Sequence, residues 1–262
     1  MMLTVEFGAA TDAGLVRQRN EDRVLAEAGV FAVADGMGGH AAGDVASSLV
    51  VARLRDLAGR DDLKPEDVRA ALDSANAEIL ASTAECDERT GMATTVAGLG
   101  MVRVGGVEHW VVFNVGDSRV YRFADGALSQ VSVDHSEVEE RVAAGRLTRE
   151  EARWHPLRHV VTRSLGTEPG PMADLWVFPP APGERFVLCS DGLPLELDDV
   201  EIRQVLAEVA VPQQAADQLV ARALLAGGRD NVTVVVVDVV AASGNSDVDV
   251  MTVPRARLVA GG

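Results

Sequence analysis

Two short apolar runs end on an aspartate followed by a glycine: Phe31-Ala32-Val33-Ala34-Asp35-Gly36 and Phe186-Val187-Leu188-Cys189-Ser190-Asp191-Gly192. A short continuous apolar run reads as a buried strand. A carboxylate delivered at its end is aimed into a cleft, with the glycine letting the backbone turn sharply away. Elsewhere the period changes. Residues 44–58 follow a glycine-rich turn and read as a helix that Asp44 is placed to cap. Lys64-Pro65 opens a second helix, because proline suits the first helical position, and Val68, Ala71, Leu72, Ala75, Ile79 and Leu80 then keep to one face. Strand-like stretches follow at 94–104, 109–115 and 119–123. Asp125-Gly126 then joins Val120-Tyr121-Arg122-Phe123 to Ala127-Leu128-Ser129-Gln130-Val131 as a hairpin. Residues 136–171 are polar and locally basic, with Arg141, Arg146, Arg149, Arg153, Arg158 and Arg163, and predict a mobile flap holding a short helix around 137–153. Strands at 174–178 and 185–189, a helix from about 200 to 225 and a strand at 232–240 complete the pattern. Blocks of short strands with helices in pairs predict an α+β fold in which antiparallel sheets are flanked by helices. Linker-like composition after Ala241 divides the chain into one domain over 1–241 and a tail over 242–262.

Length and composition narrow the function classes. The 262 residues and 47% hydrophobic content support a single large domain with an ample core. A formal net charge of −16 argues against nucleic acid and anionic membrane surfaces as partners, since both attract basic patches. Two cysteines, Cys86 and Cys189, lack the spacing of a zinc site or a disulfide framework, which points to a reducing, cytoplasmic setting. No apolar run approaches the roughly 20 residues that span a bilayer, so no membrane segment is expected in this chain.

Two more acids stand in settings like those of Asp35 and Asp191. They are Asp22, in Arg17-Gln18-Arg19-Asn20-Glu21-Asp22, and Asp230, in Gly227-Gly228-Arg229-Asp230-Asn231-Val232-Thr233. Carboxylates spread along a chain yet each placed at an element end point to a site assembled by folding, and multivalent cations are the usual reason for crowding them. Gly36-Met37-Gly38-Gly39 lacks the lysine and spacing of a phosphate-binding loop.

The order of motifs resembles the metal-dependent protein phosphatases (PPM, the type 2C serine/threonine phosphatases) in their bacterial branch. The resemblance rests on Gly14-Leu15-Val16-Arg17 with Asn20-Glu21-Asp22, Ala34-Asp35-Gly36-Met37-Gly38-Gly39-His40, Gly91-Met92-Ala93-Thr94-Thr95 and Asn114-Val115-Gly116-Asp117-Ser118-Arg119. It continues through Asp134-His135-Ser136, Thr162-Arg163-Ser164-Leu165-Gly166, Cys189-Ser190-Asp191-Gly192-Leu193 and Gly228-Arg229-Asp230-Asn231-Val232-Thr233. It implies a four-layer αββα sandwich with a two-metal site at one end and a flap. By the same resemblance Asp35 bridges two Mg²⁺ or Mn²⁺ ions, the Gly36 carbonyl completes one of them, and Asp191 and Asp230 hold the other. Glu21 and Asp22 reach the cluster largely through water. Arg17 grips the substrate phosphate, and Asp117 holds a third, weaker ion together with Asp191. The implied reaction is hydrolysis of phosphoserine or phosphothreonine by a metal-bridging water, opposing serine/threonine protein kinases, in a protein expected to be a monomer.

Some positions depart from the family or keep a second reading open. Eukaryotic members carry a histidine directly after the Asp-Gly pair as a proposed general acid; here that residue is Met37, whose thioether donates no proton. His40 is either a structural hydrogen-bonding residue or a replacement acid. Asp117 is either a metal ligand or a turn carboxylate paired with Arg119. Pro194 stands where threonine or serine is common and is expected to alter the loop beside Asp191. A pseudophosphatase that binds without turnover is disfavoured by the intact Asp35, Asp191 and Asp230. A phosphatase dedicated to one anti-sigma-factor antagonist stays open.

Overall fold

The computed structural model describes residues 3–27, 29–38, 42–85 and 91–242. Gly39, His40, Cys86 and the tail from 243 lie outside the described residues, and so do the expectations attached to them. In chain order the elements are β1 (Leu3–Asp12), β2 (Arg23–Glu27), β3 (Val30–Ala34), β4 (Gly36–Met37), α1 (Ala42–Arg55), α2 (Pro65–Glu85), β5 (Ala93–Thr94), β6 (Val96–Val104) and β7 (Val107–Val115). They continue as β8 (Arg119–Ala124), β9 (Ala127–Gln130), α3 (Glu137–Ala143), α4 (Arg149–Trp154), β10 (Asp174–Phe178), β11 (Arg185–Cys189), α5 (Gly192–Glu196), α6 (Asp199–Glu208), α7 (Pro212–Ala226) and β12 (Val232–Ala242).

Two five-stranded antiparallel sheets, ordered β1-β12-β11-β8-β9 and β10-β7-β6-β3-β2, stack face to face, and β4 and β5 form a separate short pair. Strand alternation explains the layers. In β3, Phe31 and Val33 enter the core between the sheets, while Ala32 and Ala34 are small enough to let α1 and α2 close on the outer face. In β11, Phe186 and Leu188 face the other sheet and Val187 and Cys189 lie beneath α6 and α7. Both runs are fully buried because each face is covered, by a sheet on one side and helices on the other. Trp110 meets Phe186 edge to face at 5.7 Å across the sheets. The result is the αββα sandwich the motif order implied.

The register gathers the acids at one end. Arg23 pairs with Ala34, so Asp22, just before β2, emerges beside Asp35, just after β3. Cys189 pairs with Val234 on one side and Arg119 on the other, so Asp191, Asp230 and Asp117 leave the second sheet at that same end. Antiparallel pairing thus turns carboxylates remote in sequence into neighbours.

Several boundaries differ from the pattern reading. The helix expected over 200–225 is two, because Pro212 cannot donate to a continuing helix and restarts the chain as the first residue of α7. Gly145, at φ 68°, likewise splits the flap helix into α3 and α4. The strand expected over 94–104 breaks at Thr95, and α1 starts at Ala42, which places Asp44 inside the first turn. β1 and the short α5 were not anticipated. Pro194 sits in the first turn of α5, where its missing N–H is tolerated, and Leu195 and Leu197 still donate to Asp191 and Leu193. The hairpin at Asp125-Gly126 has both central residues at positive φ, 52° and 74°, as a two-residue turn matched to strand twist requires.

Candidate active site

The backbone of Asp35 is clamped. Its carbonyl accepts from the Thr95 N–H at 2.9 Å and from Thr94 Oγ1 at 2.8 Å, and its own N–H donates to Thr95 Oγ1 at 3.2 Å. Thr95 Oγ1 also meets Ser118 Oγ at 2.7 Å, so buried hydroxyls tie the Asp35 turn of one sheet to the Asp117 loop of the other. Neither Gly36 nor Gly192 has positive φ, so the expected reason for these glycines changes. A Cβ on Gly36 would lie 2.2 Å from the Gly43 carbonyl oxygen, and one on Gly192 2.0 Å from that of Asn231. Close backbone packing, which holds the two aspartates against the loops behind them, excludes any side chain there.

A second set of side chains holds the other acids. Ser190 Oγ donates to Asp22 Oδ2 at 2.8 Å and accepts from the Thr233 N–H at 3.0 Å. The Asn231 amide donates to the carbonyls of Ala13 and Arg19 at 2.9 Å each and accepts from the Glu21 N–H at 2.8 Å, which docks the 13–21 loop on the start of β12. Glu196, with its side chain only 1% exposed, accepts from the Arg229 N–H, Nε and Nη2 and so fixes the residue before Asp230. None of these partners is within 20 residues of its target, and a single sequence carries no local signal for them.

The electrostatics are those of crowded acids. Burial pushes Asp22 up to about 7, opposed by its bonds to Thr233 and Ser190 and reinforced by Asp191 and Asp230. Asp35 is raised well above the ordinary range by burial and then by Asp22, Asp191, Asp117 and Asp230. Asp117 rises to about 8 through burial, Asp191 and Asp134. Asp191 is raised by burial and Asp230, and a hydrogen bond with Asp35 partly offsets this. Glu21 stands apart: after burial, the charges that act most on it are Arg17 and Asp44.

Asp230 accepts from Arg17 Nη2 at 2.7 Å, a bond that is also the main cause of the raised Arg17 pKa. Arg119 binds Asp134 through Nε and Nη2 and reaches the Tyr121 hydroxyl, which leaves Asp117 without the ion pair that the turn reading gave it. His135 accepts from the Gly116 N–H at Nδ1 and faces Asp174 Oδ2 from Nε2 at 3.1 Å, so the geometry places its proton on Nε2 and makes it a brace for the Gly116-Asp117 turn. His159 of the flap, which the sequence reading did not single out, lies within electrostatic range of Asp191.

The donor set fits hard divalent cations. All five aspartate side chains offer oxygen, and Asp22 Oδ1 is buried without a hydrogen-bond partner among the described residues. Burial, reinforced by like charges crowded together, raises Asp22, Asp35, Asp117 and Asp191. Among the described residues, no three acidic, histidine or cysteine side chains already form a finished cage. Asp230 meets Arg17 and Asp22 meets Ser190 through Oδ2 alone.

A stability prediction follows. In chelator-treated protein the folded state keeps protons on Asp22 and Asp117 that the unfolded chain has released above pH about 4. Stability therefore falls as pH rises from about 4, and the loss is complete once pH has passed through 7 to 8. The melting temperature is expected to fall by on the order of 5 °C between pH 5.5 and 8.5, and Mn²⁺ to restore more of it at pH 8.5 than at pH 5.5. A Mn²⁺ effect independent of pH would contradict the crowding.

Comparison with known proteins agrees with this geometry. The sequence model of the protein phosphatase 2C family matches residues 12–226. The serine/threonine protein phosphatase PstP of Mycobacterium tuberculosis is 42% identical over 247 residues, covering 91% of this chain and 46% of PstP, so the chain spans about half the length of that relative. The serine/threonine phosphatase stp of Listeria monocytogenes is 34% identical over 243 residues, 87% of this chain and 93% of stp. Among solved structures, the catalytic domain of PstP in complex with two manganese ions superposes with a TM-score of 0.83 at 37% identity, covering 92% of this chain and all of that one. With fold, motif order and acidic cluster in agreement, the chain belongs to the protein phosphatase 2C family, in its bacterial branch.

Proposed function

We propose that this chain is a Mn²⁺- or Mg²⁺-dependent protein serine/threonine phosphatase. The observation that carries the reading is the convergence of Asp22, Asp35, Asp117, Asp191 and Asp230 at one end of the sandwich with Arg17 beside them. Asp35, the Gly36 carbonyl, Asp191 and Asp230 would hold two ions, the number present in the PstP complex. Asp22 and Glu21 would act from behind them. Two hard cations of this kind polarise phosphoryl oxygens and make water a competent nucleophile near neutral pH. The protein's own part is to orient and hold. Arg17, more than half exposed, can offer a planar fork to two phosphate oxygens, and its present partner Asp230 keeps it at the site. The clamp on Asp35 and the bracing of Asp191 between Ser190 and α5 keep ligand oxygens in place without side-chain rearrangement of the core. Met37 lies in the β4–β5 pair opposite Ala93 and has no proton to give a leaving alkoxide.

The substrates this reading implies are phosphorylated proteins, in opposition to serine/threonine kinases. The reading takes the chain as a cytoplasmic monomer, in keeping with only two cysteines, of which Cys189 is a buried free thiol. Among the described residues no helix is long and apolar enough to cross a membrane. The test is phosphate release from phosphoserine and phosphothreonine peptides with added Mn²⁺; no release from any peptide would overturn the assignment.

Asp117 is proposed to hold a third, weaker ion with Asp191, since its raised pKa is set first by burial and then by Asp191, and Arg119 spends its hydrogen bonds on Asp134 and Tyr121. Asp117→Ala is then expected to keep two tight Mn²⁺ sites in calorimetry while phosphopeptide turnover falls. Unchanged kinetics with an unchanged number of sites would reduce Asp117 to a turn residue.

A further inference from the structure

The turn that carries Arg17 presents apolar side chains to water and is built not to move. Leu15 is 71% and Val16 67% exposed, immediately before the arginine assigned to the phosphate. Three contacts fix their position. The Gly14 N–H donates to Asp12 Oδ1 at 2.8 Å, the Leu15 N–H donates to the Gly228 carbonyl at 2.7 Å, and Gly14 itself, at φ 76°, packs so closely that a Cβ would lie 2.2 Å from the Asp230 carbonyl oxygen. Glycine at this position is required both for its conformation and for its lack of a side chain.

The turn rests against the end of α7. Leu15 Cγ and Leu224 Cδ2 both close over Gly228, within 3.0 and 3.2 Å of where its Cβ would stand, and Leu225, next along at the end of α7, is 88% exposed. This patch lies on the Asp230 side of the site, beside the Arg17–Asp230 pair. Single exposed apolar residues are ordinary. Two in succession, on a turn held rigid against the proposed ligand loop and adjoining the phosphate grip, form a surface that a bound substrate chain would cover.

We infer that Leu15 and Val16 form an apolar subsite for the residues flanking the phosphorylated one, so that phosphosites with aliphatic neighbours are selected. This rests on the phosphatase reading of the site. Charge on the page points the same way. The chain as a whole carries −16, so acidic flanking residues are repelled while aliphatic ones gain contact. Selection of this kind is modest: partial burial of one or two aliphatic side chains at an open rim corresponds to about 5–10-fold, less than an enclosed pocket gives.

The experiment compares kcat/KM on three phosphothreonine peptides of equal length whose neighbours on both sides are leucine and valine, serine, or aspartate. A small chromogenic phosphomonoester with Mn²⁺ serves as reference. Wild-type protein is expected to prefer the aliphatic peptide to the serine one by about 5–10-fold, through KM, and to use the aspartate peptide least. Leu15→Ser/Val16→Ser is expected to bring the aliphatic-to-serine ratio to near one, and the volume-conserving Leu15→Met to retain the preference. A wild-type ratio near one, or a ratio unchanged in the double variant, would overturn the subsite. So would a double variant that loses chromogenic turnover together with thermal stability, for the turn would then serve the fold. If wild-type protein hydrolyses neither peptides nor the chromogenic ester, the phosphatase reading itself fails and the subsite falls with it. Failure of the subsite alone leaves the chromogenic reaction intact.

Discussion

Asp191→Asn and Asp230→Asn are each expected to lower turnover by at least about 100-fold at saturating Mn²⁺, since disturbing an outer-shell partner of a metal ligand already costs about 10–100-fold and these residues are assigned as ligands. An amide keeps the shape and one oxygen but loses the charge that the cluster supplies. The two variants should differ in a second respect. Asp230 also holds Arg17 at 2.7 Å, so Asp230→Asn is expected to raise KM for phosphopeptides as well as lower kcat, while Asp191→Asn acts on kcat and metal affinity. Both should fold. Relieving a crowded, buried acid removes repulsion, and the metal-free Asp191→Asn protein is expected to melt no lower than the metal-free parent. Activity within a few-fold of the parent for both variants would remove the metal-ligand assignment.

Arg17→Ala carries the second-largest expected effect, a loss in kcat/KM of about 10–100-fold on phosphopeptides, corresponding to about 1.5–3 kcal/mol for a charge-assisted contact with phosphate. A residue that only grips phosphate would leave metal binding almost unchanged when removed. The ion pair with Asp230 modifies that expectation, because the substitution also frees a proposed ligand from its partner. Metal titration therefore has to accompany the kinetics. A variant that keeps KM and loses its metal would make Arg17 a structural residue, and one that binds Mn²⁺ as well or better while KM rises supports the phosphate role. Arg17→Lys is expected to recover only part of the loss, since an ammonium cannot reproduce a planar two-oxygen contact.

The sequence disclosed the parts of the site whose signal is local. Asp35 and Asp191 could be read because each ends a run buried on both faces. The apolar stripe of α2 and the turn at Asp125-Gly126 likewise depend only on near neighbours. The motif order went further and implied the sandwich, whose register then accounts for the neighbourhood of Asp22 and Asp35. What escaped depends on distant partners. Thr94 and Thr95 look like ordinary strand residues until folding brings Asp35 onto them from some 60 residues away in sequence, with Ser118 joined through Thr95. Asn231 and Glu196 are in the same position, as polar residues whose value lies in loops they do not adjoin. The break between α6 and α7 was open to inspection, since Asp198 with Glu201 makes a capping box and Pro212 a restart, but the apolar period runs through both helices and hid the stop. β1 was missed for another reason: its Gly8-Ala9-Ala10 centre is weak in strand propensity, and pairing with β12 over its whole length supplies what the local sequence lacks.

The central claim is that the acidic end of the sandwich works by holding hard divalent cations. The most direct measurement strips the protein with chelator and follows hydrolysis of a chromogenic phosphomonoester as Mn²⁺, Mg²⁺, Ca²⁺ or Zn²⁺ is added back. The account predicts no turnover in stripped protein, recovery with Mn²⁺ or Mg²⁺ and little with Zn²⁺, whose preference for nitrogen and sulfur ligands this all-oxygen set does not meet. Full activity in the stripped protein, or activity restored by none of the four ions, would contradict it.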